Sequence, residues 1–97
     1  MKNIRNLYNE EQLSLLESIN IYLDNEKDYS IDELADLYDE ITDYYQVACF
    51  DKRGEPLPSA YKWETIFDIL YDNTGIWSVR NFKYRPYKIN KYKSLSE

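Results

Sequence analysis

Carboxylates are the chemically capable groups that recur at regular spacing in this chain. Asp32, Asp36, Asp39, Glu40 and Asp43 lie three or four residues apart along one stretch, and Glu64, Asp68 and Asp72 repeat every four along another. On a helix such positions are neighbours about 5–6 Å apart, so each set becomes a ladder of negative charge. Paired carboxylates can move protons, hold a hard cation such as Mg²⁺, or accept charge-assisted hydrogen bonds from Arg and Lys. The first two roles need a pocket, and nothing in the pattern signals one. The third needs only an exposed face. A solvated acidic helix face is the ordinary result of such spacing. The functional result is a row shaped like phosphates, presented to a basic partner.

Other chemistries are excluded by residue type. There is no histidine, which removes Ser-His-Asp and Cys-His nucleophiles and histidine zinc sites. Cys49 is the single cysteine, so neither an internal disulfide nor a cysteine metal cage can form. It reads as a small buried hydrophobe. The GEP triplet at 54–56 is no phosphate loop, and no dinucleotide fingerprint occurs. Asp24, Glu26, Asp28, Ser30 and Asp32 alternate as in an EF-hand loop, with Ile31 at its apolar position. Tyr29 stands where the turn glycine belongs, however, and Ala35 where the bidentate glutamate belongs. The stretch reads as a polar turn between helices. No catalytic residue, metal site or cofactor is predicted, and the chain is read as non-enzymatic.

The elements that must carry these carboxylates are helices. Ser30 and Glu33 form a capping box for a helix over 31–48, with Asp32 and Glu33 at the positive end of its dipole. Leu34, Leu37, Tyr38, Ile41, Tyr44, Tyr45 and Ala48 share one face, with Val47 to its side and the five acids opposite. Of the local cations, only Lys27 is placed to offset those acids. Asn9 and Gln12 cap an earlier helix over 10–24, with Leu15, Leu16, Ile19, Tyr22 and Leu23 inward and Leu13 and Ile21 off the face. DKRGEPLP at 51–58 is a break, with Phe50 and Leu57 anchoring its ends. A last helix over 59–73 starts at a Ser59 cap and stops at Gly75, burying Trp63, Ile66, Phe67, Leu70 and Tyr71. At 97 residues, one small domain covers 1–97. The fold class is mainly α: three amphipathic helices and a C-terminal segment, 76–97, that is extended or a weak β-hairpin. Eleven tyrosines, two tryptophans and three phenylalanines supply enough apolar area to fold such a chain.

The net charge of −6 conceals a division. Residues 10–72 carry seventeen acids against four bases, whereas 73–97 carry six bases against one acid. In the basic tail, Arg80, Lys83, Arg85, Lys88 and Lys91 alternate with Tyr84, Tyr87 and Tyr92. That mixture can grip single-stranded nucleic acid, with cations on phosphates and rings under bases. The favoured expectation is that the tail instead neutralises the acidic helices of its own chain, because the acidic body repels nucleic acid.

Neither a signal-peptide core nor a bilayer-length apolar run is present, so a cytoplasmic location in a bacterial cell is expected. Ile, Lys, Asn and Tyr, which have AT-rich codons, are abundant, as in a low-GC bacterial or phage gene. In size, acidity and composition the whole chain resembles the small anti-CRISPR and other anti-defence proteins of phages and plasmids. The resemblance is one of general character, so no family site residues transfer. It implies a protein partner with a basic surface, such as a CRISPR effector nuclease, bound through Asp32, Asp36, Asp39, Glu40, Asp43, Glu64, Asp68 and Asp72 so that nucleic acid is blocked. The alternatives are an immunity protein or antitoxin that neutralises a basic toxin, and a nucleic-acid-binding accessory protein that uses the tail. Direct nucleic-acid binding ranks below a protein partner, and no membrane association is expected.

Overall fold

A computed structural model of the chain describes residues 1–78. Those residues are mainly helical and contain no sheet: α1 spans Glu10–Glu17, α2 spans Ile31–Ala48 and α3 spans Ala60–Thr74. Single 3₁₀ turns flank them at Ile4–Leu7 and Ile76–Ser78. The C-terminal segment opens with the second of these turns, in which Ile76 is buried, and its expected extended or hairpin character falls on residues beyond it. The remainder of that segment, 79–97, lies outside the described residues, and so does the expected docking of the basic tail on its own domain.

The two capping boxes form as the spacing requires. Asn9 accepts from the Gln12 backbone N–H at 2.8 Å, while the Asn9 N–H donates to Gln12 Oε1 at 2.9 Å. Ser30 Oγ accepts from the Glu33 N–H at 3.1 Å, and the Ser30 N–H donates to Glu33 Oε1 at 3.0 Å. Each box satisfies donors that a helix start leaves without partners.

The first helix is shorter than its 10–24 prediction and ends at Glu17. Asn20 takes a left-handed backbone conformation (φ 65°), which L-residues other than asparagine and aspartate seldom adopt. The Ile21 N–H then reaches back to the Leu16 carbonyl at 2.9 Å, closing the helix end. Beyond it the chain alternates as extended backbone does. Ile21 (6% exposed) and Leu23 (5%) point inward, and Tyr22 (66%) points out. The helical assignment had put Tyr22 inside and Ile21 off the face. Apolar residues at 19, 21 and 23 fit a period of two as well as the helical one, and the turn at Asn20 decides between them.

The helix over 59–73 appears as Ala60–Thr74, a shift of one residue. Gly75 is left-handed (φ 70°) and stops it, as its position requires. Ser59 precedes the helix but makes no side-chain cap. Its hydroxyl lies 3.9 Å from the sulfur of buried Cys49, and the Lys62 N–H, which a capping side chain would accept from, is taken by the Ser59 backbone carbonyl instead. The break at 51–58 is a structured loop. The Asp51 carboxylate accepts from the Arg53 and Glu55 N–H groups at 2.8 and 2.9 Å, and Gly54 supplies the positive φ of 79°. An isolated antiparallel bridge pairs Phe50 with Pro56.

The core sits where α2 and α3 pack antiparallel. Leu34, Ala35, Tyr38, Ile41 and Tyr45 of α2 are buried, as are Ala60, Trp63, Ile66, Phe67 and Leu70 of α3. Phe67 makes edge-to-face pairs with both Tyr38 and Tyr45, with ring centroids 6.0 and 5.0 Å apart, and Tyr44 packs on Trp63 at 4.9 Å. The N-terminal residues join this core, which the helical pattern did not predict. Ile4 and Tyr8 are buried, and the Tyr8 hydroxyl donates to the Ile66 carbonyl at 2.9 Å. Arg5 ties the same segment to the α1–α2 connection through the Leu23 carbonyl at 3.2 Å.

Candidate acidic interface

Helix α2 presents the larger carboxylate row because its buried side is continuous. With Leu34, Tyr38, Ile41 and Tyr45 inward, the helical period turns Asp32, Asp36, Glu40 and Asp43 outward, and all four are exposed. The eleven steps from Asp32 to Asp43, at about 1.5 Å each, make this row about 16 Å long. Asp39 belongs to the same row but is half-buried at its edge. Tyr44, assigned to the core by its spacing, is 37% exposed and lies against Trp63 at the rim. Val47, to the side of the apolar face, is 85% exposed and ends the acidic face with an apolar patch. The sequence signal for that patch was the single valine out of phase with the buried stripe.

The second row is less uniform than its four-residue repeat suggests. Asp72 is exposed, whereas Glu64 and Asp68 are half-buried on the flank of α3 that meets Tyr45. The Tyr45 hydroxyl donates to Glu64 Oε2 at 2.8 Å. Burial, then that bonded carboxylate, pushes the Tyr45 phenol above its ordinary range. Glu64 therefore has a structural duty in addition to any interfacial one. Asp36, Asp39, Glu64 and Asp68 all have interaction partners, so the two rows are not bare ladders throughout.

Lys27, the cation expected to offset the α2 row, serves the helix cap instead. Its ammonium pairs with Glu33 Oε2 at 2.7 Å and lies 4.9 Å from the centre of the Tyr29 ring. The Lys27 hydrogen bond, followed by the Ser30 N–H, lowers the Glu33 carboxyl to about 2. The alternating acids before α2 are occupied in local wiring. The Asp24 carboxylate accepts from the Glu26 N–H at 2.9 Å, the Asp24 N–H donates to the Tyr29 hydroxyl, and Asp28 pairs with the Met1 ammonium. Among the described residues no group of three or more acidic or cysteine side chains is arranged to hold a metal ion.

An open cleft of about 490 Å³ lies where the start of α2 meets the end of α3, between Tyr29, Ile31, Leu34 and Thr74. Among the described residues, the one carboxylate on its wall is Asp28, already paired with the Met1 ammonium. Cys49 is buried, and burial raises its thiol pKa, which disfavours the nucleophilic thiolate. No described helix is long and apolar enough to cross a membrane. The alternative site in the tail, Arg80, Lys83, Tyr84, Arg85, Tyr87, Lys88, Lys91 and Tyr92, lies outside the described residues.

No protein family, curated protein or solved structure matches this chain.

Proposed function

We propose that this chain is a non-enzymatic inhibitor of the anti-CRISPR type. In this reading it uses its acidic helix faces to occupy the basic surface of an effector nuclease and thereby keeps nucleic acid out. The observation that carries this reading is the outer face of α2. There Asp32, Asp36, Glu40 and Asp43 stand exposed in one row on a helix whose opposite side is locked in the core. A rigid row costs little ordering on binding, and Arg or Lys on the partner supplies charge-assisted hydrogen bonds. Half-exposed Tyr44 and exposed Val47 add apolar area beside the charges.

The experiment is an affinity pull-down from lysate of a low-GC Gram-positive host that carries a CRISPR system, at low and moderate salt, read by mass spectrometry. The expected result is a basic nuclease that elutes as salt rises and is lost with Glu40→Lys plus Asp43→Lys. Both residues are exposed, so the pair tests charge without disturbing the core. Retention by that pair, with loss on Lys88→Glu plus Lys91→Glu, would move the activity to the tail. Recovery of a basic toxin in place of a nuclease would identify the chain as an immunity protein or antitoxin.

A further inference from the structure

We draw no further inference here: the strongest candidate, the carboxylate cluster of Glu64 and Asp68 on the flank of α3 beside Tyr45, belongs to the site already described and is an acidic cluster with no second observation that points to a ligand.

Discussion

The Tyr45 hydroxyl and the Glu64 carboxylate, 2.8 Å apart, join the buried side of α2 to the acidic flank of α3. Tyr45 is 2% exposed, while half-buried Glu64 keeps some access to water. Tyr45→Phe removes the donor, keeps the ring against Phe67, and should cost about 1 kcal/mol. Glu64→Ala should cost more, about 1–3 kcal/mol, because it removes a charged acceptor from a buried hydroxyl. Urea unfolding of both variants checks the order. A Glu64→Ala protein as stable as Tyr45→Phe would mean that water replaces the carboxylate without loss.

Alkaline pH should destabilise the fold through two tyrosines. Burial raises Tyr8, and burial with Glu64 raises Tyr45, whereas an unfolded tyrosine titrates near about 10. A raised folded pKa contributes stability that is complete below the unfolded value and is lost as pH climbs above it. Stability should therefore hold up to about pH 10 and then fall. Phenolate absorbance should show these two rings ionising only with unfolding. Tyr8→Phe, which also gives up the bond to the Ile66 carbonyl, should flatten the alkaline decline.

The acid limb has its own marker. Glu33 sits at about 2 against an ordinary 4.5, chiefly because of Lys27. Its contribution is present above 4.5 and is lost as pH falls towards 2. Carboxyl NMR titration should place Glu33 well below its ordinary value, and Lys27→Ala should return it part of the way. The Ser30 N–H bond accounts for the remainder. An unchanged Glu33 in the Lys27→Ala protein would assign the depression to the capping box alone.

The stop of α1 rests on the left-handed conformation at Asn20 (φ 65°). Asn20→Ala should cost roughly 1 kcal/mol, because a Cβ without a compensating polar group disfavours that region. Asn20→Gly should be neutral or stabilising. Thermal melts of the two variants separate them by several degrees, at about 4–8 °C per kcal/mol for a domain of this size. Equal melting temperatures would show that the turn tolerates a right-handed residue.

Charge on the outer face of α2 should move stability and binding in opposite directions. Asp43 lies four residues after Asp39 and three after Glu40, so Asp43→Lys replaces repulsion by attraction, worth about 0.2–0.5 kcal/mol per pair. The variant should melt slightly higher, yet lose the salt-sensitive partner of the pull-down. A residue that weakens its own fold while serving a contact is the signature of a functional surface. Retained binding in the more stable variant would reduce the row to a solvated helix face.

Features that depend on residues three or four apart were legible in the chain itself. The starts of α1 and α2 follow from Asn9 with Gln12 and Ser30 with Glu33, because a capping box closes on neighbours. The outward row of α2 follows from the helical period, as does the inward set Leu34, Tyr38, Ile41 and Tyr45. Gly75 marks the end of α3 because its backbone freedom is a property of the residue. Other features needed partners distant in sequence. The N-terminal segment enters the core only because the Tyr8 hydroxyl finds Ile66, fifty-eight residues away. Ser59 gives up its cap because the fold brings its hydroxyl to Cys49. Ile21 and Leu23 are buried in extended chain because Asn20 turns it, a choice that the apolar spacing leaves open. The second acidic row likewise divides into exposed Asp72 and half-buried Glu64 and Asp68, since Tyr45 lies beside only part of it. Sequence by itself determined the helices and the side of α2 on which charge stands, through contacts within one or two helical turns. Tertiary packing decided what covers the N-terminus and which carboxylates are tied into the core, because only the folded chain brings those groups together.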